Sequence, residues 1–365
     1  MRRLEKTEEM AKKSIFRFGG SSSNNAEDDT GITKFKFQEL AAATKNFAPE
    51  SLLGEGENGR TFKGCLKRSG QDVAIRQLDE ENISAIYGCG NQIKFSTLRL
   101  RSLLHHPNVA DLIGYSINEK NEMYLVYEFM PLGSLRNHLH DLNKKPLDWN
   151  MRMKIAAGAA KGLKYLHEIS NPPAIHGNIK PSNILLCEGS YNPKVSDFFL
   201  LKERIPECDE SGYTRFFGRQ NHRRAPEFLE NFKLTQQSDI YSFGLVLLEL
   251  ISGRKAEKTP SLTQWAIREL VVYGEEFTAV ADPLLEGCYP EQGLYQALSL
   301  AAECLQRKDV TRPRIGYVLN VLSNLASEMY DQNAIQINRA GTLAVGSIDK
   351  ERLTQQWRGV HCFFV

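Results

Sequence analysis

The stretch SDIYSFGLVLLELISG, residues 238–253, constrains the fold more than any other part of this 365-residue chain. Its apolar residues would cover nearly every side of a helix, so such a helix has no face suited to water. Ser238 or Asp239 would cap its start, and Gly253 would end it. The segment therefore predicts a helix buried at the centre of a lobe large enough to surround it.

The segments before this helix change from strand-like to helix-like spacing. SLLGEGENGRTFKGCL (51–66) and QDVAIRQL (71–78) alternate apolar and polar residues around glycines, which is typical of hairpin strands. In residues 148–169 the apolar residues recur at about 3.6-residue spacing, which predicts a helix. These positions are Met153, Ile155, Ala156, Ala159, Leu163 and Leu166. The order predicts an α+β fold, with a strand-rich N-terminal lobe, a helical C-terminal lobe and a cleft between them.

Composition excludes several classes of protein. Hydrophobic residues make up 41% of the chain and charged residues 25%, as in ordinary globular proteins. The formal net charge of +2 gives no reason to expect a nucleic-acid partner. No apolar run approaches the ~18 residues that span a bilayer, and the N-terminus lacks the apolar core of a secretory signal. The seven cysteines are scattered, so we expect reduced thiols and no structural metal.

Changes in composition along the chain predict the domain boundaries. Residues 1–33 include the polar stretch GGSSSNNAEDDTG, which predicts a disordered N-terminal segment. A dense apolar pattern predicts one domain over residues 34–328, with an N-lobe at about 50–128 and a C-lobe at about 131–328. Residues 329–365 have weak periodicity and are expected to form an extension without its own core. Cys362 begins a C-a-a-X tail, but the final Val365 is unusual, which favours an unmodified tail over a prenylated one.

Short motifs follow one another along the chain in a specific order. LGEGENGRTF supplies Gly54, Gly56 and Gly59 as G-x-G-x-x-G between two strand-like segments, a spacing that lets backbone amides approach phosphates. The motifs that follow are VAIR (73–76), HGN (176–178), KPSN (180–183), DFF (197–199), APE (225–227) and Arg312. This set resembles the protein kinase signatures V-A-I-K, H-R-D-x-K-x-x-N, D-F-G and A-P-E. The resemblance covers about residues 35–326 and implies the bilobal protein kinase fold with an ATP cleft between the lobes.

The surrounding sequence is similar to plant receptor-like cytoplasmic kinases of the PBS-one-like class. The likeness lies in FKFQELAAATKNF (35–47), LLHHPNVADLIGY (103–115), LVYEFMPLGSLRNHL (125–139) and SDIYSFGLVLLELISGRKA (238–256). Active members transfer the ATP γ-phosphoryl group to Ser or Thr and relay signals from immune receptors. The resemblance implies a cytoplasmic protein, or one peripheral at the plasma membrane, whose partner is an active kinase or a receptor complex.

The resemblance also implies roles for the residues that match the family's motifs. These residues would contact phosphates or adenine, hold Mg²⁺, or stabilise the fold. They are Gly54, Gly56, Gly59 and Lys180 for the phosphates, Glu128 and Met130 for adenine, Asn183 and Asp197 for Mg²⁺, and Glu227, Asp239 and Arg312 for the fold. Glu227 and Arg312 are expected to form a buried ion pair, and Asp239 is expected to anchor the loop that contains the HGN motif.

Four departures from the family pattern affect the chemistry. Arg76 stands where the family has a Lys on the phosphates, and a planar guanidinium is not a compact ammonium. The Glu partner of that Lys is absent, because Thr97 falls at its position and residues 82–110 contain no Asp or Glu. Asn178 replaces the Asp that accepts the substrate proton, and an amide is not a base at neutral pH. Phe199 replaces the glycine of D-F-G, so the hinge there is expected to be stiffer.

Two further changes concern the activation segment. Gly177 replaces the Arg that would bind an activation-loop phosphate. RQNHRR, residues 219–224, replaces the flat Gly-Thr-Tyr-Gly-Tyr floor of the plant class. We interpret it either as a drifted, solvated loop or as a basic docking patch for an acidic or phosphorylated partner.

These features predict a catalytically impaired kinase-like protein, a pseudokinase, that acts as a scaffold, decoy or regulator. We expect it to bind ATP and Mg²⁺ only weakly. Two alternatives are open. One is a low-activity serine/threonine kinase in which Arg76 and Lys180 still orient ATP, and the other is a nucleotide-binding switch without phosphoryl transfer.

Overall fold

The fold is described from a computed structural model of the chain. The structure describes residues 32–56, 59–78, 98, 101–120, 122–141, 143–189, 191–197, 223–231, 234–257, 261–272, 276–328, 330 and 348–360. Several predictions fall outside these residues. They concern the N-terminal segment up to residue 31, Thr97, Phe199, most of the activation segment (198–222) and Cys362.

The N-terminal lobe is built on a six-stranded sheet. Its strands are β1 (Thr33–Lys34), β2 (Leu52–Gly56), β3 (Gly59–Cys65), β4 (Asp72–Leu78), β5 (Leu112–Ile117) and β6 (Met123–Glu128). They lie in the order β1-β5-β6-β4-β3-β2, with β1 parallel to β5 and the other neighbours antiparallel. Arg76 on β4 pairs with Thr61 on β3 and Leu125 on β6, so the middle of the sheet fixes its backbone.

One face of this sheet carries the apolar residues of the alternating strands. Val73 and Ile75 on β4 are fully buried, as period-two alternation requires. Helix α1 (Phe37–Ala43) covers this face with the fully buried Leu40. Ile32 is also buried and Thr33 pairs with Gly114, although the sequence analysis assigned both to the N-terminal segment. A two-residue strand has no periodicity of its own, so only its pairing with β5 reveals it.

The C-terminal lobe is mainly helical and also contains a two-stranded sheet. Its elements are α2 (Leu135–His140), α3 (Trp149–Lys164), β7 (Ile184–Leu186), β8 (Pro193–Val195), α4 (Pro226–Asn231), α5 (Gln236–Ser252), α6 (Leu262–Ile267), α7 (Glu291–Cys304), α8 (Ile315–Ser327) and α9 (Lys350–Gly359). Helix α5 is the predicted central helix, and every residue from Ile240 to Ser252 except Ser242 is buried. The α+β bilobal fold expected from the sequence is therefore confirmed.

The predicted cap of the central helix was wrong. Helix α5 begins after Thr235, whose hydroxyl accepts a hydrogen bond from the Ser238 N–H at 3.2 Å. Ser238 Oγ in turn accepts a hydrogen bond from the Thr235 N–H at 3.1 Å. Both candidates, Ser238 and Asp239, lie inside the first turn, because Gln236 and Gln237 before them are already helical. Gly253 ends the helix with a φ of 66°, as predicted.

The other predicted helix forms as α3, and its capping group is Asp148. The Asp148 carboxylate accepts a hydrogen bond from the Met151 N–H at 2.7 Å. Residues 153, 155, 156, 159 and 163 are all buried, as the spacing predicted. Leu166 is buried too, but it lies in a wider turn, Tyr165–Ile169, that follows the α-helix.

The predicted C-terminal extension contains helix α9, which the sequence analysis did not predict. Leu353 and Trp357 of α9 are buried against the C-lobe core. Lys350 forms an exposed ion pair with Glu276 at 2.6 Å. The helix therefore shares the core of the C-lobe instead of building its own. Within the described part of the chain, no helix combines the length and the apolar character needed to cross a bilayer.

Candidate functional site

The loop at residues 174–186 is attached to the central helix through Asp239. The Asp239 carboxylate accepts hydrogen bonds from the N–H groups of His176 and Gly177, both at 2.7 Å. It also contacts His167 Nε2 at 2.8 Å and is only 1% exposed. Because α5 is rigidly buried, these bonds hold the loop backbone at a fixed position against the C-lobe.

Gly177 has a backbone conformation that other residues adopt only with strain. Its φ is 72°, in the left-handed region that favours glycine. Its carbonyl oxygen accepts a hydrogen bond at 2.8 Å from the Arg224 guanidinium. Glycine therefore fits this backbone conformation without strain, and it leaves the loop without the cation that the family pattern has here.

Asn178 occupies the position of the missing proton acceptor. It is 5% exposed, and its backbone oxygen accepts a hydrogen bond from Asn183 Nδ2 at 2.8 Å. Its N–H donates to His176 Nδ1 at 3.2 Å. The buried side-chain Nδ2 of Asn178 has no acceptor among the described residues. This position thus presents a hydrogen-bond donor where a carboxylate would present an acceptor and a base.

Arg76 is ion-paired with Asp197, the residue that follows β8. Their side chains are 12% and 20% exposed. Burial raises the pKa of Asp197, but the charge and hydrogen bond of Arg76 and the charges of Arg101 and Lys180 outweigh it, so the pKa is lowered. Arg101 is 5% exposed and donates to Tyr127 Oη at 3.1 Å. The Arg76 ion pair, together with the charges of Arg101 and Lys180, therefore favours the ionised form of this carboxylate.

Sequence analysis missed the contribution of Arg101. Its position in the apolar stretch LRLRSLL was a usable signal, because a cation within such a stretch is buried only when it is paired. The acidic partner expected for the β4 cation has no counterpart in the sequence of residues 82–110. In the structure Arg76 instead forms an ion pair with Asp197, one of the two residues expected to hold Mg²⁺.

The two residues expected at the adenine lie at the end of β6. The Glu128 carboxylate is held by Lys194 Nζ at 2.7 and 2.9 Å and by the Asp111 N–H at 2.8 Å. Met130 is 6% exposed, and its Sδ lies 3.5 Å from Cys187 Sγ. The Glu128 side chain therefore holds the connection between the lobes. An adenine bound at this position would contact the backbone and not this carboxylate.

The three glycines of the β2–β3 hairpin differ in how much space a Cβ would have at each position. A Cβ at Gly59 would lie 2.1 Å from the Gln77 oxygen, and its φ is 105°, so the fold itself requires glycine there. A Cβ at Gly54 or Gly56 would meet no described residue within 4 Å apart from the chain neighbours. Packing therefore explains Gly59, whereas no contact among the described residues explains the other two.

Glu227 and Arg312 form a two-bond ion pair behind the loop. Both Glu227 oxygens accept from the Arg312 guanidinium at 2.8 Å, and the Arg312 side chain is 0% exposed. Ser238 Oγ donates to Glu227 at 2.9 Å, and Arg312 also donates to the Gln237 oxygen at 2.9 Å. The pair connects the end of the activation segment to the start of α5.

Of the two interpretations of RQNHRR, the basic docking patch does not hold for the two arginines that the structure describes. Arg223 is 5% exposed and binds Glu249 at 2.5 Å and Glu257 at 2.8 Å. Arg224 is 8% exposed and stacks over the Phe228 ring. The buried Glu249, the exposed Glu257 and an aromatic face compensate these charges, so neither guanidinium is presented to a partner. Residues 219–222 lie outside the described residues.

The glycine hairpin, the β4 cation, the anchored loop and the acid after β8 together define a bilobal protein kinase arrangement. The chain matches the protein tyrosine and serine/threonine kinase family over residues 48–322, and it belongs to that family. Members of this family generally use ATP and Mg²⁺. Among the described residues, no group of three or more His, Cys, Asp or Glu side chains could hold a metal ion.

Several proteins of Arabidopsis thaliana are similar to the chain. It is 52% identical over 309 residues to serine/threonine-protein kinase PBL27, a match to 82% of this chain and 58% of that protein. It is 50% identical over 306 residues to serine/threonine-protein kinase PBS1, covering 81% and 65%. It is 47% identical over 319 residues to probable serine/threonine-protein kinase PBL7, covering 85% and 82%. The chain thus spans less than two thirds of the length of PBL27 and PBS1.

Proposed function

We propose that the chain is a kinase-fold protein with strongly impaired phosphoryl transfer, whose task is to bind protein partners in plant receptor-kinase signalling. As a scaffold, decoy or regulator it would act on an active kinase or a receptor complex. The proposal applies to the kinase-like region, residues 34–328, and to a location in the cytoplasm or at the inner face of the plasma membrane.

The observation that carries the proposal is Asn178 at the position of the proton acceptor. The amide is buried and has no basic oxygen, and loss of a general base typically reduces a rate by about 10²–10⁴-fold. The ion pair of Arg76 with Asp197 adds to this effect, because the guanidinium engages a carboxylate that Mg²⁺ would need. Both features favour weakened use of ATP and Mg²⁺.

A low-activity serine/threonine kinase is the second candidate, and the intact loop geometry favours it. Asn183 donates to the Asn178 backbone, and Asp239 holds the backbone of His176. Lys180 lies next to this geometry, and phosphoryl transfer depends mostly on positioning and electrostatics. The names of the relatives PBL27 and PBS1, both serine/threonine-protein kinases, agree with this candidate.

Turnover by the purified full chain separates the two candidates. We expect no multiple-turnover transfer of labelled phosphate from Mg-ATP to a general Ser/Thr substrate or to the chain itself. The Asp197→Ala variant is the matched control, because any signal that persists in it comes from a contaminating kinase. Robust transfer by the wild-type chain that disappears in Asp197→Ala would refute impaired catalysis and establish the second candidate.

A restoration experiment tests whether the named replacements account for the loss. The triple variant Arg76→Lys, Thr97→Glu and Asn178→Asp returns the three groups of the family pattern. If they are the sole lesions, turnover returns; we expect Phe199 and the changed docking segment to prevent full recovery. Recognition without chemistry also predicts that Asp197→Ala retains the biological effect of the wild-type chain in a complementation assay, whereas a kinase loses it.

The third possibility, a nucleotide-responsive switch, depends on whether a nucleotide binds at all. Gly54 and Gly56 support it, since no described residue apart from their chain neighbours lies within 4 Å of a Cβ at either position. Bound nucleotide raises the melting temperature by mass action. The absence of a thermal shift with millimolar nucleotide, tested with and without Mg²⁺, would eliminate the switch.

A further inference from the structure

The end of the activation segment is attached to the C-lobe by two arginines that belong to the segment itself. Arg223 Nη2 lies 2.5 Å from Glu249 Oε1, and its Nε lies 2.9 Å from Glu257 Oε1. Its backbone oxygen also accepts a hydrogen bond from Ser242 Oγ at 3.2 Å. Glu249 and Ser242 both belong to α5, and Glu249 is fully buried. The side chain and the backbone of Arg223 therefore both hold this residue on the central helix.

Arg224 attaches the next residue of the segment to the loop that contains the HGN motif. Its Nη1 donates to the Gly177 carbonyl oxygen at 2.8 Å, and its guanidinium lies over the Phe228 ring, 5.2 Å from the centroid. Arg224 is 8% exposed, so this charge-assisted hydrogen bond is shielded from water. The Gly177 N–H donates to Asp239 at 2.7 Å. Both polar groups of the Gly177 backbone are thus bound, one to α5 and the other to the activation segment.

These contacts exchange the roles that the family pattern gives to the loop and the activation segment. In that pattern the loop supplies a cation, an Arg at the position of Gly177, and the activation segment supplies an anion, a phosphorylated side chain. Here the loop supplies a carbonyl oxygen and the segment supplies the cation. A guanidinium keeps its charge at all times in proteins, whereas a phosphate has to be added by an enzyme. The contact in this chain therefore forms without any modification.

We propose that Arg223 and Arg224 are positioning residues that fix the end of the activation segment, residues 223–227, and the start of α4 without phosphorylation. A protein partner would then meet the same α4 surface whether or not the segment is phosphorylated. The inference depends on the contacts of these two arginines and not on phosphoryl transfer, so it goes beyond the proposed function.

The test is hydrogen–deuterium exchange on the full chain after phosphatase treatment, with complete dephosphorylation verified by intact mass. The Phe228 and Leu229 N–H groups donate to the Ala225 oxygen at 3.0 and 3.2 Å, so their exchange reports on the start of α4. In the dephosphorylated chain we expect these two amides to exchange at least about a hundredfold more slowly than amides of an unfolded chain. Exchange at the unfolded rate would overturn the inference.

Variants of Arg224 assign the protection to its contact with the loop. Arg224→Met removes the charge and the hydrogen bond at similar length, and we expect the two amides to exchange about tenfold faster in this variant. Arg224→Lys retains a cation and should recover part of the protection. Arg358→Met, at an exposed position of α9, is the control for net charge, and melting curves verify that each variant is folded. Equal exchange in wild type and Arg224→Met would contradict the role of Arg224.

A double-mutant cycle tests the contribution of Arg223. Arg223→Met alone leaves the buried Glu249 carboxylate without its guanidinium, so exchange should accelerate by more than about tenfold. In the Glu249→Gln background the same change should accelerate exchange much less, because no buried charge then loses its partner. Equal acceleration in the two backgrounds would show that this ion pair does not hold the segment.

Gly177→Arg tests the exchanged roles from the side of the loop. It adds a guanidinium to the residue whose carbonyl oxygen binds Arg224, so we expect repulsion between the two cations and faster exchange at α4. Gly177→Met is the matched control, because it adds a side chain of similar length at the same φ without a charge. Equal acceleration in both variants would attribute the effect to backbone strain and contradict the charge argument.

These exchange measurements are separate from the turnover assay of the proposed function. A chain that transfers phosphate from Mg-ATP and still protects the start of α4 when dephosphorylated would refute the proposed function alone. A chain that lacks turnover and leaves the start of α4 unprotected would refute this inference alone.

Discussion

The hydrogen bonds around Asn178 show that the backbone geometry of the loop does not require a basic side chain at this position. The backbone oxygen of Asn178 accepts from Asn183 Nδ2 at 2.8 Å, and its N–H donates to His176 Nδ1 at 3.2 Å. The hydrogen bonds that define the loop use backbone atoms, the buried Asp239 and the side chains of His176 and Asn183. The basic oxygen that the amide lacks contributes to none of them. Selection for the loop's shape alone can therefore maintain this geometry.

His176 makes the stability of the fold depend on pH. Burial lowers its pKa from 6.5 to about 4, although the charges of Asp239 and Asp197 oppose this shift. The unfolded chain therefore takes up the proton first, so stability is full above pH 6.5 and falls as the pH drops towards 4. The slope for one proton is at most about 1.4 kcal/mol per pH unit. Denaturant unfolding at several pH values measures it.

The control for this prediction is His176→Gln, which has no titratable group. Burial also lowers the pKa values of His106 and His138, so some pH dependence remains in the variant. The difference between the two slopes isolates the contribution of His176. Parallel slopes for wild type and variant would contradict the prediction.

Gly177 gives a second prediction at this scale. Its φ of 72° costs a residue with a Cβ about 1–2 kcal/mol, so restoring the family residue with Gly177→Arg should lower the free energy of unfolding by that amount. Gly177→Asn should cost less, because Asn tolerates this conformation. Urea unfolding of both variants provides the measurement. An Arg variant as stable as wild type would show that the loop adopts another backbone conformation.

At the scale of elements, helix α5 organises the C-lobe because it is buried on all sides. Its start and end are both set by specific contacts. Thr235 and Ser238 cap the first turn, and Gly253 ends the helix where a Cβ would lie 2.3 Å from Asp282 Oδ2. The apolar run determines that the helix exists, but capping determines where it begins. This is why its first residue was misjudged from the sequence.

The cap can be tested directly. Thr235→Ala removes the acceptor for the Ser238 N–H and should destabilise the protein by about 1 kcal/mol. Thr235→Ser retains the hydroxyl and should stay within a few tenths of a kcal/mol of wild type. Thermal and chemical unfolding of the two variants would distinguish them. Equal stability of Thr235→Ala and Thr235→Ser would mean that another residue caps α5.

At the scale of the whole molecule, one helix holds together parts that are distant in sequence. Asp239 of α5 anchors the loop, Glu249 binds Arg223, and the backbone at Gln237 accepts from Arg312. None of these contacts takes part in proton transfer. The architecture therefore does not depend on the cleft residues that depart from the family pattern.

Helix α9 extends this network to the C-terminal part of the chain. Trp357 is 0% exposed, so Trp357→Ala should lower the free energy of unfolding by about 3–5 kcal/mol. We expect the low end, because the buried indole N–H has no acceptor among the described residues. Gln355→Ala on the exposed side of the same helix is the control and should cost under ~0.5 kcal/mol. If both cost the same, α9 does not share the C-lobe core.

The sequence by itself determined the two-lobed α+β fold, the central helix and the absence of an acid in residues 82–110, because periodicity and composition are local properties. Only the tertiary structure decided that Arg76 contacts Asp197, that Arg223 and Arg224 are buried, and that Trp357 joins the C-lobe. Each of these outcomes depends on a partner far away in sequence, and spacing along the chain carries no signal for such contacts.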